Sequence, residues 1–416
     1  IYSMKDKIFI QIASYRDPQL LPTLRDCIAN AKHPNNLKFC IAWQHDEKES
    51  LEEFKDDERF IILDIPYTES KGACWARNLI QQKYNGEKYT LQLDSHHRFI
   101  KNWDTELIKM VKHLQKKGHK KPLLTGYISS FNPDNDPAER VDVPWKMNFD
   151  RFIPEGAVFF LPASIDNFKE LDEPIPARFY SAHFCFTLGT FCKEVPHDPE
   201  YYFHGEEISI AVRAFTHGYD LFHPHKIVAW HEYTRRGRTK QWDDDKEWHI
   251  KNDSCHLRNR KLFEMDGLKN DIDFGIYGFG KVRTLDDYER YAGVSFKKRA
   301  VQQYTLDFKL PPNPSYDNSE EYEKSFLSIF RHCIDIGFDK VPEKDYDFWA
   351  VAFHDVDGNT MFRKDSDEAE ILNYFNDPDK YCKVWREFQT DKKPDHWVVW
   401  PHSKSKGWCE RITGNL

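Results

Sequence analysis

The sequence predicts an α/β fold in which a parallel sheet is covered by helices, with a smaller β-rich domain at the C-terminal end. Two patterns carry this prediction. The first 130 residues alternate short β-rich runs with amphipathic helical stretches, whereas the chain after residue 310 consists of short β-rich pieces separated by turns. We therefore assign residues 1–310 to the α/β domain and residues 311–416 to a β-rich, sandwich-like accessory domain.

The elements of the α/β domain follow from hydrophobic periodicity. The predicted strands are short apolar runs at Ile8–Ala13, Phe39–Trp43, Phe60–Ile65, Tyr89–Asp94, Leu123–Ile128, Phe184–Leu188 and Ile227–Trp230. The predicted helices place apolar residues three and four apart at Leu20–Ala31, Ala73–Lys83, Thr105–Lys117 and Glu206–His217. The segment Phe131–Phe179 is rich in Pro, Asn and Asp, and we expect it to form loops around an acceptor cleft. In the accessory domain, strands are predicted at Trp349–Phe353, Thr360–Arg363, Val384–Phe388 and Trp397–Trp400.

Composition excludes several classes of protein. The chain has 416 residues, of which 40% are hydrophobic and 15% aromatic, so it can bury a large core and is not disordered. Its net charge of -8 provides no basic field, so no nucleic-acid partner is expected. We found no apolar run long enough for a membrane span and no signal-peptide profile. The 9 cysteines are scattered without zinc-site spacing, which predicts reduced thiols and a cytoplasmic location.

The strongest chemical signal is an apolar strand that ends in Asp94, Ser95 and His96. The two-residue period of a strand places Asp94 and His96 on one side. A carboxylate and an imidazole at the carboxyl end of a strand can bind a divalent cation such as Mn²⁺ or Mg²⁺, whose other positions are then open to diphosphate oxygens. A turn-capping Asp94 beside a solvated His96 is the simpler structural alternative.

This motif resembles the Asp-X-His metal motif of the GT-A glycosyltransferases, which include the polypeptide GalNAc-transferases. That resemblance implies a third metal ligand in a distant histidine. His231 matches best because it directly ends a second apolar strand, while His223 and His225 compete for the role.

A wider resemblance runs from Ile8 to about Lys298. Four ordered blocks, Ile10–Asp17, Lys71–Arg77, Asp94–His96 and Val282–Tyr291, are similar to the cytoplasmic hydroxyproline-directed polypeptide GlcNAc-transferases. The resemblance implies a GT-A fold, a UDP-GlcNAc donor, a divalent metal and retention of anomeric configuration. It does not cover the C-terminal domain, so the acceptor hydroxyl is left open between a protein and a glycan.

The donor nucleotide has candidate contacts after the first strand and before one helix. Ser14, Tyr15, Arg16 and Asp17 follow the first strand, where a base and ribose approach an α/β sheet, and Asp17-Pro18 also reads as a helix start. Lys71 and Gly72 open the helix that contains Arg77. We expect the first main-chain amides of this helix, its dipole and the Arg77 guanidinium to face the diphosphate, and we include Ser95 among the donor-binding residues.

Two further groups complete the predicted site. Glu206 and Glu207 begin a helix, where acids are favoured electrostatically, and the resemblance implies that they grip donor or acceptor hydroxyls. We expect Arg77 to act in catalysis by stabilising negative charge on the departing UDP. Arg235 belongs to a basic segment that we interpret either as a flap over the UDP phosphates or as a solvated loop.

These observations predict a retaining, metal-dependent transferase that moves GlcNAc from UDP-GlcNAc to a hydroxyl group. One alternative keeps the fold but builds a polysaccharide from another UDP-sugar. A second alternative is a non-catalytic carbohydrate-binding protein on the same scaffold, and a nucleotide-sugar hydrolase is a third.

Overall fold

The computed structural model describes residues 6–234 and 238–416. The described residues form two compact units. The larger unit extends to Lys297 and adds Tyr304–Ser315, and the smaller unit comprises Lys298–Gln303 with Tyr316–Leu416.

The secondary structure of the described residues alternates strands and helices in the first half and is dominated by strands in the last quarter. The strands are β1 (Ile8–Tyr15), β2 (Leu37–His45), β3 (Phe60–Pro66), β4 (Tyr89–Leu93), β5 (His97–Phe99), β6 (Pro122–Thr125), β7 (Trp145–Phe152), β8 (Val158–Ser164), β9 (Ile175–Pro176), β10 (Phe184–Leu188), β11 (Asp220–His223), β12 (Ala229–His231), β13 (Val294–Ser295), β14 (Ala300–Gln302), β15 (Phe326–Gly337), β16 (Tyr346–His354), β17 (Thr360–Arg363), β18 (Ser366–Asp367), β19 (Tyr381–Thr390), β20 (His396–Ser403), β21 (Gly407–Trp408) and β22 (Ile412–Asn415). The helices are α1 (Leu20–Asn30), α2 (Ala73–Gln81), α3 (Trp103–Lys116), α4 (Phe191–Glu194), α5 (Glu206–Thr216), α6 (Gln241–Asp244), α7 (Trp248–Leu262), α8 (Leu285–Ala292), α9 (Gln303–Leu306), α10 (Ser319–Lys324) and α11 (Glu368–Tyr374).

The central sheet of the larger unit has the order β3-β2-β1-β4-β10-β6-β11-β9. Strands β3, β2, β1 and β4 run parallel, but β10 lies antiparallel between β4 and β6. The predicted α/β class is therefore confirmed, and the sheet is mixed because β10 and β9 pair antiparallel with their neighbours. A five-residue apolar strand such as β10 is buried in the same way in either direction, so its sequence carries no signal for orientation.

Helices cover the sheet because each buries one apolar stripe. On α3, Trp103, Leu107, Val111 and Leu114 recur at helical spacing, and each is at most 1% exposed. They belong to the same core cluster as the β4 residue Leu91. This packing fixes the carboxyl end of β4, where Asp94 and His96 follow.

A short antiparallel pair, β5 with β12, lies next to that end of the sheet. His231 is opposite His97 in this pair, and the main chain of Glu232 donates to the carbonyl of His96 at 3.2 Å. The pairing brings together two segments more than 130 residues apart in sequence, which is the step that assembles the site.

Three predicted segments differ from the structure. The predicted strand Leu123–Ile128 ends at Thr125, because the carbonyl of Thr125 bonds the Nδ1 nitrogen of His223 at 2.7 Å instead of continuing the ladder. The predicted strand Ile227–Trp230 is shifted to β12, and the predicted loop segment Phe131–Phe179 contains the antiparallel hairpin of β7 and β8.

The smaller unit contains antiparallel sheets with an apolar interior, which confirms the predicted β-rich character of the C-terminal part. Strand β15 pairs with β19, and β16 pairs with β20. Alternate residues of β16, namely Trp349, Val351 and Phe353, are fully buried and share a core cluster with Ile334 and Val384. The turn at Asp355–Asn359 joins β16 to β17 through bonds from Asp357 and Asn359 amides to the Asp355 carboxylate.

All nine cysteines are free thiols, most of them buried. Within the described residues, no helix is long and apolar enough to cross a membrane.

Candidate active site

A cavity of about 980 Å³ opens where β1, β4 and β12 end and where α2 and α5 begin. The carboxyl ends of strands in an α/β sheet meet at such a crevice. Its wall brings together most of the predicted site residues: Tyr15, Asp17, Gly72, Arg77, Asp94, Ser95, His96, Glu206, Glu207 and His231. Ser14, Arg16 and Lys71 are not part of this wall.

Asp94, His96 and His231 form a compact triangle at the bottom of the cavity. The Nε2 atoms of His96 and His231 are 3.1 Å apart. Asp94 Oδ2 lies 3.1 Å from His231 Nε2 and 3.4 Å from His96 Nε2. Both histidines are buried, at 6% exposure each, while the side chain of Asp94 is 25% exposed to the cavity.

The triangle fits a divalent cation. Neighbouring ligands of an octahedral ion at about 2.1 Å lie about 3 Å apart, close to the separations of these three atoms. One carboxylate and two imidazoles are a donor set that Mn²⁺ accepts readily. His223 and His225, the competing candidates, are not among the residues that line the cavity. His223 instead bonds the main chain of Thr125 and Met147 inside the core.

Asp17 supports this triangle from behind. It is 3% exposed, and its Oδ2 accepts from Ser95 Oγ at 2.6 Å and from His96 Nδ1 at 2.8 Å. Its Oδ1 accepts a hydrogen bond at 2.9 Å from the main-chain N–H of Gln19, the residue directly before α1. A proton on Nδ1 leaves the Nε2 lone pair of His96 directed at Asp94 and His231. Such carboxylate–histidine pairs orient metal ligands.

The charges of these groups follow from their contacts. Burial alone would raise the pKa of Asp94, but hydrogen bonds with His231 and His96 and the nearby Arg77 hold it well below its usual range. Burial lowers the pKa of His231 well below its ordinary value, so this ring is neutral at pH 7. Burial opposes the charge on His96 too, yet bonds to Asp17 and Asp94 raise its pKa.

Arg77 connects the metal-ligand triangle to α5. The guanidinium is 3.1 Å from Asp94 Oδ1 and 3.3 Å from Glu206 Oε2, and the side chain is 8% exposed. Arg77 lies on α2, whose N-terminus opens at Gly72 with φ of 105°. A Cβ atom at Gly72 would meet the ring of Tyr202 at 3.0 Å, so this close approach requires glycine. Lys71, in contrast, is exposed to solvent.

Glu207 lies beside Glu206 at the start of α5. Its Oε2 accepts from the main chain of Ala182 at 2.9 Å. Burial, and secondly the charge of Glu206, raise the pKa of Glu207 to about 8. At pH 7 this carboxyl group therefore holds a proton and can donate to a hydroxyl of a bound sugar.

The residues after β1 have separate surroundings. Ser14 is fully buried, and its hydroxyl has no hydrogen-bond partner within the described part of the chain. Tyr15 donates to Asp244, and Arg16 pairs with the same carboxylate at 3.0 Å and packs 4.3 Å over the ring of Tyr67. Tyr15 thus faces the cavity with its hydroxyl held by α6.

The predicted basic segment is described only in part, since Arg235 lies outside the described residues. Arg238 of the same segment lies in the cavity wall, with Nη1 2.9 Å from His96 Nδ1 and 4.0 Å from Asp17. This proximity adds a positive charge beside the triangle.

Sequence reasoning missed the aromatic support of His231. His183, at the start of β10, stacks on His231 with ring centroids 3.9 Å apart and an angle of 18°. Tyr233 packs against the same ring at 4.3 Å. The only sequence signal for His183 is a histidine that precedes a buried strand, which is too common to identify a site.

Comparison with known proteins gives one family. Residues 7–59 and 51–298 match the model of the family described as "Glycosyltransferase (GlcNAc)". Among curated proteins, no sequence matches the chain significantly.

Solved structures similar to the chain include GalNAc-T7 with UDP, GalNAc and Mn²⁺, at 14% identity, a TM-score of 0.48 and coverage of 62% of this chain. The chain spans about half, 48%, of that GalNAc-T7 chain. It is also similar to S. aureus TarS, at 10% identity and a TM-score of 0.37, with 98% of this chain and 77% of that chain covered.

Proposed function

Since the chain belongs to this GlcNAc glycosyltransferase family, we propose that it transfers GlcNAc from UDP-GlcNAc to a hydroxyl group, with a divalent metal held by Asp94, His96 and His231. The observation that carries the metal site is the triangle of three donor atoms within 3.4 Å of each other. We propose retention of anomeric configuration and front-face attack.

The metal would supply Lewis-acid stabilisation of the diphosphate when Mn²⁺ or Mg²⁺ is bound. The chain's own residues prepare the site for it. Asp17 holds His96 in the tautomer whose Nε2 is unprotonated, and His231 is neutral because it is buried. His231 would therefore bind the metal without losing a proton, and His96 would bind it in the form that carries its single proton on Nδ1.

Arg77 and the N-terminus of α2 form the second support for the leaving group. In the proposed reaction, the guanidinium stabilises negative charge on the departing UDP, together with the first amides of α2 beside Gly72. Arg77 already lies between Asp94 and Glu206, so it is fixed before the donor binds. Fixed charges cost no reorganisation during bond breaking.

Glu206 and Glu207 are proposed to hold sugar hydroxyls. Glu206 contacts Arg77 through Oε2 at 3.3 Å and offers carboxylate oxygens as acceptors, whereas Glu207, whose pKa is raised to about 8, holds a proton and donates one. One acceptor and one donor, side by side at the start of α5, match adjacent hydroxyl groups on a pyranose ring.

Part of the cavity wall is aromatic. Trp145 and Phe160 from the β7–β8 hairpin, together with Tyr127, Tyr233 and Trp242, line it. Aromatic faces pack against the C–H faces of sugars and against peptide side chains. We propose that this wall receives the hydroxyl-bearing acceptor, a protein or a glycan.

The test is UDP release from a panel of UDP-sugars, with Mn²⁺ or with chelator, in the wild type and in Asp94→Asn. We expect metal-dependent release with UDP-GlcNAc and a loss of at least about 100-fold in the variant, because a ligand and the partner of Arg77 are both removed. Asp220→Asn is a matched control: its side chain is 24% exposed, against 25% for Asp94, and it also pairs with an arginine and a histidine.

The outcomes separate the parts of the proposal. Release that is confined to another UDP-sugar would refute the GlcNAc donor while leaving the metal site in place. Equal release with chelator, or an active Asp94→Asn variant, would refute the metal site.

A further inference from the structure

A second cluster of potential metal ligands includes Glu206, which lines the cavity, and two buried residues that do not line it. Cys74, His197 and Glu206 each offer one ligand atom, and these atoms all lie within 4.8 Å of one another. Cys74 and His197 are each about 1% exposed, and the Cys74 thiol donates to Glu206 Oε2. The three residues come from α2, from the segment after α4 and from the first turn of α5.

The hydrogen bonds of His197 show which of its nitrogens can bind a ligand. Its Nε2 is 2.8 Å from Gln92 Oε1. The amide orientation of Gln92 is fixed, because its Nε2 donates to the carbonyl of Ala182 at 2.7 Å. Oε1 therefore faces His197 as an acceptor, and His197 Nε2 carries the proton.

The other nitrogen, Nδ1, is left with a lone pair and no hydrogen-bond partner among the described residues. An unsatisfied buried nitrogen costs free energy, so such a group in a native protein calls for a ligand. A histidine whose second nitrogen donates to a fixed carbonyl oxygen is the arrangement found behind metal-ligating histidines.

We propose that Cys74, His197 and Glu206 form a Zn²⁺ site, separate from the triangle of Asp94, His96 and His231. Sulfur, nitrogen and oxygen donors suit Zn²⁺, while Mn²⁺ and Mg²⁺ disfavour a thiolate. Tetrahedral Zn²⁺ places such donor atoms about 3.5 Å apart, a spacing that atoms lying within 4.8 Å of one another reach by side-chain adjustment. Three protein ligands leave the fourth position to water.

Charge balance allows Zn²⁺ next to Arg77. The Cys74 thiol loses its proton to solvent when zinc binds, and thiolate plus Glu206 carboxylate then neutralise the ion. Arg77 loses Glu206 as a partner but keeps Asp94 at 3.1 Å.

Zinc at this site would inhibit the transferase. Glu206 bound to zinc no longer accepts a hydroxyl of the donor sugar, which is its role in the proposed function. Zinc binding itself does not rest on that function, but the inhibition does.

The experiment uses the full chain and Co²⁺ as a spectroscopic substitute for zinc. A cysteine ligand gives a near-ultraviolet thiolate-to-cobalt charge-transfer band, which the sulfur-free triangle cannot produce. We expect this band in the wild type, its displacement by Zn²⁺, and its loss in Cys74→Ser and weakening in His197→Gln. Cys192→Ser is the matched control, since that thiol is also buried, at 3% exposure, but lies against Gln11 and Thr90.

A folded wild type that binds Co²⁺ without a thiolate band overturns the proposal, whatever the folding of the variants. A band that persists in Cys74→Ser, or is lost in Cys192→Ser alone, also overturns it. If the band is present and Zn²⁺-sensitive but no UDP-sugar releases UDP, the zinc site stands and the proposed function falls. If Mn²⁺-dependent UDP release is measured in a protein that shows no thiolate-to-cobalt band, the proposed function stands and the zinc site falls.

Discussion

The Asp17→Asn variant distinguishes two roles for the same carboxylate. The sequence assigns Asp17 to the nucleotide, because it follows β1, whereas the structure places its Oδ2 2.8 Å from His96 Nδ1. Asp17 accepts three hydrogen bonds, from Gln19, Ser95 and His96. An asparagine has the same shape but only one acceptor oxygen, so each orientation of its amide turns a donor toward a donor.

The expected loss falls on metal binding. Removing a carboxylate behind a metal-ligating histidine weakens metal affinity or activity by about 10- to 100-fold, equivalent to about 1.4–2.8 kcal/mol. If the lost bond is the one to Gln19, the start of α1 is weakened as well, at a cost of about 1 kcal/mol in the free energy of unfolding. Catalysis at saturating metal should change much less than the metal affinity.

The assay is a Mn²⁺ titration of UDP release, paired with calorimetric Mn²⁺ binding and thermal unfolding. Asp198→Asn is the control, because Asp198 is also buried, at 4% exposure. Like Asp17, it accepts a hydrogen bond from the main-chain amide two residues later, here that of Glu200, but its other oxygen contacts Arg258 instead of His96. An unchanged Mn²⁺ affinity with a raised KM for the UDP-sugar would refute the role assigned from the structure and favour the nucleotide contact.

Two further changes test the surroundings of the site. The pKa of Glu207 is raised from 4.5 to about 8, so the folded protein binds more protons than the unfolded chain between these pH values and loses stability as pH rises through them. In Glu207→Gln this pH-dependent loss of stability should be absent. Urea unfolding near pH 4.5 and near pH 8 measures the free energy of unfolding in both proteins. The same change of unfolding free energy with pH in both proteins would contradict the raised pKa of Glu207. His183→Phe keeps a ring against His231 but leaves the main-chain amide of Ile128 without its acceptor at 3.1 Å. We expect a lower unfolding free energy by about 1–3 kcal/mol with Mn²⁺ affinity nearly unchanged, and a large loss of Mn²⁺ affinity would show that the nitrogen atoms of His183 matter to the metal.

Local periodicity was sufficient for much of the sheet and for locating two residues of the candidate metal site. The apolar run of β4 located Asp94 and His96 just after a strand end, and both line the cavity. The predicted two-residue period does not apply to them, because β4 ends at Leu93 and residues 94–96 form the bend before β5. His231 came from the resemblance and from its position at the end of an apolar run, because no local pattern links residues 135 positions apart. Its register depends on β12 pairing with β5, a three-residue strand too short to predict.

Contacts between distant segments explain what the sequence could not show. Asp17 reads as a helix start, and it does accept from Gln19, but its bond to His96 spans 79 residues. The pairing of Tyr15 and Arg16 with Asp244 joins residues more than 220 positions apart. These contacts form only when the sheet has fixed its strand order, so they are products of topology and not of local propensity.

The charges around the cavity indicate why donor and metal should bind together. Arg77, with its side chain 8% exposed, is balanced by Asp94 and Glu206, and His96 Nδ1 lies 2.8 Å from the Asp17 carboxylate. A divalent cation added alone places two further positive charges close to Arg77 and Arg238, which opposes its binding. The diphosphate of a UDP-sugar brings compensating negative charge into the same cavity. In the proposed function each ligand would therefore offset the electrostatic cost of the other, and by linkage the donor would raise metal affinity by the factor by which metal raises donor affinity.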